Sequence, residues 1–267
     1  MARREFVGLF SLVGGGLALL PEVLLSTSSV TSRKTRMNIF AIGGQGLNWK
    51  DDNLLLAKYF LGLTGKENPK VCFIPTASGD IGRTIVNFYE AMTQLPCQPR
   101  HLRIFNPHVE AFEPYLLGMD AIYVGGGNTL NMIAIWREHG IDRVLREAWK
   151  RGIVLGGTSA GSICWFEQGS TDSRPGKLTA MDCLGFLRGS NCPHYDGEAA
   201  RRPTYHQMIR SGEISPGIAC DDGVGLHFEG EKLIHIVTAR QKAKAYRVNL
   251  ANGEVVEKVI HPDLLAD

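Results

Sequence analysis

The sequence predicts an α/β fold built on a doubly wound, mostly parallel sheet, with a small β extension at its C-terminal end. Three observations predict it. From Met37 to Lys150, short apolar runs alternate with amphipathic runs. Most of the apolar runs are continuous, as expected of strands covered on both faces by helices. Short glycine-rich turns join them, the usual connections of a strand–helix–strand chain.

Strands are expected at Asn38–Ile42, Val71–Ile74, Arg100–Ile104, Ala121–Val124 and Ile153–Leu155. Helices are expected at Asn53–Leu63, Ile81–Leu95, Leu130–His139 and Ile141–Lys150. Ligands on such sheets bind at the carboxyl ends of the strands. The turns Gly43-Gly44-Gln45-Gly46, Pro75-Thr76-Ala77-Ser78-Gly79, Gly125-Gly126-Gly127-Asn128 and Gly156-Gly157-Thr158-Ser159 all fall there. Beyond Ser170 the runs shorten and Gly, Pro and Asp become common. Strands are expected at Phe186–Arg188, Ile218–Cys220, Leu233–Val237, Ala245–Val248 and Val255–Ile260, with one helix near Thr204–Ser211. This tail is expected to extend the sheet and to add a hairpin at its edge.

The bulk composition narrows the function. A chain of 267 residues, 44% hydrophobic and 21% charged, suits one compact domain with a sizeable core. The formal net charge is +2, and residues 37–267 carry 24 basic against 25 acidic side chains. With no basic stripe, a nucleic-acid partner is not expected. The six cysteines form no C-x-x-C pair and no zinc-like spacing with histidine. Several lie within apolar runs, so they are expected to be buried, reduced thiols. No metal or organic cofactor is expected.

Residues 1–36 stand apart from a domain at 37–267. A short basic start precedes a mostly apolar run, Phe6 to Leu25, and then a Ser/Thr-rich stretch. That is the layout of an export signal, and Arg3-Arg4-Glu5-Phe6-Val7 resembles a twin-arginine leader. The competing reading starts translation at Met37, directly before the first strand. The protein is exported under the first reading and cytoplasmic under the second. Gly14-Gly15-Gly16, Pro21 and Glu22 interrupt the apolar run, so a stable membrane span is not expected.

The sharpest chemical signal is Gly157-Thr158-Ser159-Ala160-Gly161, a G-x-S-x-G motif between an apolar strand and a helical run, Ser162 to Phe166. Its glycines permit a sharp turn that lifts the serine hydroxyl above the sheet. The Ala160 N–H then faces the same space and suits an oxyanion. The rival reading is a small-residue turn that only packs a helix on a sheet. Of the eight histidines, His194 stands out as a base for the serine, in the polar loop Gly189 to Asp196. His101, His139 and His206 fall on helix or strand faces, His227 and His235 in or near C-terminal strands, and His108 and His261 beside prolines. Asp222, Asp172 and Asp196 are all candidates for the acid that orients the base, and spacing alone does not choose among them.

Four motifs in order carry a resemblance: Gly125-Gly126-Gly127-Asn128-Thr129-Leu130, Gly157 to Gly161, Asn191-Cys192-Pro193-His194-Tyr195, and Asp221-Asp222-Gly223. Together they resemble the peptidase E family of aspartyl dipeptidases, relatives of cyanophycinase, over nearly all of 37–250. The resemblance implies a fold similar to class I glutamine amidotransferases, with serine in place of cysteine, and a triad in the order Ser, His, acid. It matches His194 to the family histidine and puts Asp222 where better-known members carry glutamate. Asp172 corresponds roughly to another aspartate considered for that role and stays in reserve. Gly126 or Gly127 then offers a second oxyanion donor, and Asn128 caps the next helix and is expected at the substrate. Arg201 and Arg202 fall where the family holds an acidic side chain. The implied activity is hydrolysis of short peptides through an acyl-enzyme, with an acidic N-terminal residue as the expected preference and a homodimer left open. An esterase or transferase using the same serine, and a binding protein without turnover, are the alternatives.

Overall fold

The computed structural model describes residues 36–46 and 54–266. The leader expected at 1–36 falls, except for Arg36, outside the described residues. The described residues all belong to one compact unit.

The first half runs β1 (Asn38–Ile42), α1 (Leu55–Gly62), β2 (Lys70–Ile74), α2 (Gly82–Met92), β3 (Gln98–His101), α3 (Phe112–Leu117), β4 (Ala121–Val124), α4 (Thr129–His139), α5 (Ile141–Lys150) and β5 (Val154–Thr158). The strands pair in parallel in the order β1-β5-β4-β2-β3. Alternate residues of one strand feed opposite cores. Ile39 and Ala41 of β1 join Cys72 and Ile74 of β2 against Trp136, Leu145 and Leu116 of the helices on one face. Phe40 and Ile42 join Val71 and Phe73 against Phe60 and Phe88 of α1 and α2 on the other. Both faces are dry, which is why the strands read as unbroken apolar runs. Each of the larger aliphatic and phenylalanine side chains among them, once buried, contributes roughly 1.5–3 kcal/mol.

Two expectations in this half shift. The third strand is Gln98–His101, not Arg100–Ile104. It pairs only with β2, so it is an edge strand, where Pro99 and polar side chains are tolerated. Helix α3 was not anticipated because Pro114 interrupts its sequence. The proline sits in the first turn, where no intrahelical N–H is needed.

The second half departs further. A four-residue α6 (Ala160–Ile163) follows Ser159, and the chain re-enters a strand at Phe166. The helical run expected at Ser162–Phe166 therefore stops at Ile163. Then come β6 (Phe166–Thr171), β7 (Thr179–Asp182), β8 (Leu187–Cys192), α7 (Arg201–Ser211), β9 (Gly217–Cys220), β10 (Val224–Glu229), β11 (Lys232–Thr238), β12 (Ala245–Ala251), β13 (Glu254–Ile260) and β14 (Asp263–Leu264). Strands β10, β11 and β14 extend the large sheet beyond β1 to eight strands. The others form a separate six-stranded sheet in the order β13-β12-β9-β8-β6-β7. The tail is thus more than an extension with a hairpin. The second sheet has its own cover, because Tyr205, Met208 and Ile209 of α7 pack on Cys192, Ala219, Tyr246 and Val248. Its other face contributes Phe166, Leu187 and Ile218 to the main core.

Cys72, Cys164, Cys183, Cys192 and Cys220 are buried and free, and Cys97 is half-buried. Burial pushes the Cys183 and Cys192 thiols up to about 12, so neither is a ready nucleophile at neutral pH. Among the described residues, no helix is long and apolar enough to cross a membrane.

Candidate active site

Ser159 sits where β5 of the large sheet turns into α6. Its backbone lies at φ 55° and ψ −113°, an unfavourable region for a side chain bearing Cβ. The turn is fixed from several directions. The Ser159 N–H donates to the Ile42 carbonyl at 3.2 Å, and the Ser159 carbonyl accepts from Ser162 and Ile163 at 2.9 and 3.0 Å. The flanking glycines leave no space for a side chain. A Cβ on Gly157 would lie 2.5 Å from the carbonyl oxygens of Gly161 and Val124, and one on Gly161 would lie 2.2 Å from the latter. The G-x-S-x-G spacing is therefore a packing requirement here.

His194 and Asp222 come from the other sheet. They follow β8 and β9, two neighbouring parallel strands. His194 also has positive φ, at 56°, and its N–H donates to the Gly43 carbonyl at 3.2 Å, beyond the end of β1. One step on, the Tyr195 N–H donates to the Cys220 carbonyl at 3.2 Å. These bonds swing the imidazole from the small sheet over the end of the large one.

The three side chains meet there. His194 Nε2 is 2.9 Å from Ser159 Oγ, and His194 Nδ1 is 2.7 Å from Asp222 Oδ1. An ionised carboxylate only accepts, so a neutral imidazole facing it carries its proton on Nδ1. Nε2 is then the acceptor and the serine hydroxyl donates to it. His194 and Asp222 side chains are 21% and 14% exposed, enough to admit a substrate while limiting competition from water.

Glycines make the contact close. A Cβ on Gly44 would fall 1.8 Å from Asp222 Oδ1 and 2.3 Å from His194 Nδ1. One on Gly197 would fall 2.7 Å from Asp222 Oδ2. Bare backbone on both sides lets an aspartate, one methylene shorter than glutamate, reach the ring.

The remaining expected site residues are dispersed. Gly126 borders the serine, since a Cβ there would touch Ser159 Cβ at 3.2 Å, and Gly127 follows at φ 137°. Ala160 opens α6, where a helix has N–H groups with no intrahelical carbonyl. Asn128 caps α4: its side chain accepts from the Asn131 N–H at 2.9 Å and donates to the Ser173 carbonyl at 3.0 Å. Both ends of that amide are engaged with the protein, each in one of the two bonds it can make. Asp172 is 68% exposed and lies 3.7 Å from Arg201, while Asp222 holds the ring.

Both arginines are also committed. Arg201, 3% exposed, is bidentate to Glu198 at 2.7 and 3.2 Å and donates to the Ser170 carbonyl at 3.0 Å. Arg202 pairs with Glu257 and lies over the Tyr195 and Tyr246 rings. Asp196 was weighed only as an acid, and its part in the loop was missed; its partners are 44 and 26 residues away, so no local pattern could reveal them.

The chain matches the model of peptidase family S51 over residues 39–236. The uncharacterized peptidase YgaJ of Bacillus subtilis (strain 168) is 51% identical over 219 residues, 82% of this chain and 95% of that protein. Peptidase E of Shewanella denitrificans is 25% identical over 184 residues, 65% of this chain and 77% of that protein. The crystal structure of a peptidase from an acI-B1 Actinobacterium superposes with a TM-score of 0.63 at 16% identity, covering 86% of this chain and 96% of that one, a likeness of fold. With the family model covering most of the chain and every residue of the Ser159–His194–Asp222 cluster, the chain belongs to peptidase family S51 and is a serine-type peptidase.

Proposed function

We propose that this peptidase hydrolyses short peptides through an acyl-enzyme on Ser159. One observation carries the reading: an unbroken contact chain from Ser159 Oγ through His194 to Asp222, at 2.9 and 2.7 Å, on a serine held in a strained turn. As Oγ attacks the scissile carbonyl carbon, His194 Nε2 takes its proton. Asp222 holds the ring and stabilises the imidazolium. The oxyanion is met by the Ala160 N–H and by that of Gly126 or Gly127. The carbon–nitrogen bond then breaks, and His194 returns the proton to the leaving amine. Water, deprotonated by the same nitrogen, releases the acyl group and regenerates the hydroxyl.

A preference for an acidic side chain has no support from Arg201 or Arg202, whose guanidinium groups already hold Glu198 and Glu257. The proposed substrates are short peptides without that requirement. Two measurements test the reading. A fluorophosphonate probe is expected to label wild-type protein at Ser159, and Ser159→Ala is expected to lose labelling and, on the order of 10⁶-fold, turnover. Retained turnover in folded Ser159→Ala would sink it. On a dipeptide panel, aspartyl substrates are expected to show no advantage in kcat/KM over alanyl or leucyl ones.

A further inference from the structure

We propose that Asp196 and Arg240 form a brace that sets the position of Asp222, and so act as positioning residues for the peptidase reaction. The proposal rests on the triad reading above. Asp196 sits two residues beyond His194, in the same loop. Its Oδ1 accepts the Asp222 backbone N–H at 2.9 Å, and its Oδ2 faces Arg240 Nη1 at 3.1 Å. The same Nη1 donates to the Asp222 carbonyl at 2.7 Å. One ion pair thus holds both backbone polar groups of the acid, and it ties the base's loop to the acid's loop.

Arg240 is itself anchored. Its N–H donates to Thr238 Oγ1 at 3.0 Å, and that buried hydroxyl donates to the Gly223 carbonyl at 2.9 Å. Its methylenes pass so near Gly223 that a Cβ there would lie 2.9 Å from Arg240 Cδ. The arginine therefore lies along the turn that carries Asp222. On the opposite side, the Gly223 N–H donates to the Gly44 carbonyl at 3.1 Å, which fixes the floor of the same slot.

The geometry separates placement from stability. Arg240 and Asp196 side chains are 43% and 33% exposed. A half-exposed ion pair contributes little to global folding. What it controls is where one short carboxylate stands. Asp222 has no spare reach, and displacement of a catalytic group by about 1 Å costs on the order of 100-fold in rate.

The test is a mutant cycle read by kcat, KM and fluorophosphonate labelling rate. Asp196→Ala and Arg240→Met are expected to lower kcat and labelling roughly 10- to 100-fold with KM within about twofold. Arg240→Lys, which keeps a cation with several donors, is expected to recover most of the loss, and Asp196→Asn, which keeps the acceptor for the Asp222 N–H, is expected to fall between. In an Asp222→Asn background, Asp196→Ala is expected to change kcat less than about twofold, because residues that act as a unit are non-additive. A full additional loss in that background would overturn the brace, since a merely structural role adds regardless. So would near-normal kcat in both single variants beside a crippled Asp222→Asn. Should Asp196→Ala fail to fold, Asp196→Asn and Arg240→Lys decide the same question. A near-normal Asp222→Asn would instead sink the triad reading on which the brace depends.

Discussion

The two sheets deliver their parts of the site by different means. The large sheet presents Ser159 through backbone alone: a strained turn, two glycines without clearance, and a hydrogen bond from its N–H to Ile42. The small sheet presents His194 and Asp222 on loops that backbone bonds dock against Gly43 and Gly44 and that the side chains of Asp196 and of Arg240, beyond β11, then hold, with bare glycines closing around them. The nucleophile is thus a property of the fold, whereas the base and acid depend on a few replaceable contacts. Substitutions on the small-sheet side are therefore expected to graduate activity, and those at the serine turn to abolish it.

The largest effect that sharpens this contrast concerns the acid. Asp222→Asn is expected to cost about 10⁴-fold in turnover, because the amide can present N–H to Nδ1 and so favour the wrong tautomer; the magnitude is that of the corresponding aspartate in chymotrypsin-type proteases. Asp172→Asn, on an exposed side chain, is expected to change turnover less than about twofold, with folding checked by circular dichroism. The reverse pattern would move the acid to the loop after β6 of the same small sheet and break the triad as described.

Next is Gly44→Ala. Its methyl group would occupy the space of the His194–Asp222 contact, so kcat is expected to fall by about 100-fold or more while the fold persists. A crystal structure of the variant with the 2.7 Å contact intact and normal turnover would contradict this. Smaller is the effect of Arg201→Met. It leaves the Ser170 carbonyl without its donor and is expected to cost about 1–3 kcal/mol in urea unfolding. The kcat/KM ratio between acidic and neutral dipeptides is expected not to move; a selective loss for acidic ones would return Arg201 to the substrate.

The smallest expected effects are in pH. Burial beside Asp196 raises the Asp221 carboxyl to about 6 from 3.8, so its contribution to stability declines as pH rises through that window. Burial, with His235 and Arg36 near, lowers His227 to about 4 from 6.5. Its contribution is full above 6.5 and declines as pH falls toward 4. One group lies after a strand of the small sheet and the other within the large one, and they act in opposite directions. Asp221→Asn is expected to steepen the net loss of stability toward acid, and His227→Gln to flatten it, in urea midpoints between pH 4 and 7.

What was legible follows the same division. The parallel strands of the large sheet announced themselves because both faces are dry, and β1, β4 and α5 fall at their expected bounds. The Ser159 turn was legible because its glycines are required by nearby backbone in the same motif. The second sheet was legible in β8, β9, β12 and β13 but not in β6 and β7, nor as a separate sheet. Its β6 reads Phe-Glu-Gln-Gly-Ser-Thr, with too few apolar residues to signal a strand, and it directly follows a run that looked helical. Arg201 and Arg202 could be found, and Glu198 stands three residues before Arg201, within reach of a local reading, but Glu257 as the partner of Arg202 could not be found. Glu257 lies on β13, brought beside α7 only by the packing of the completed sheet.

The positive-φ backbone at Ser159 has an evolutionary consequence. A glycine at that position would adopt φ 55° and ψ −113° without strain, and such relief is worth on the order of 1–3 kcal/mol. Selection for thermal resistance alone, in a directed-evolution library with no assay of hydrolysis, is therefore expected to enrich Ser159→Gly among its winners. Lineages released from the need to hydrolyse peptides would drift the same way, keeping the two sheets and shedding the hydroxyl first.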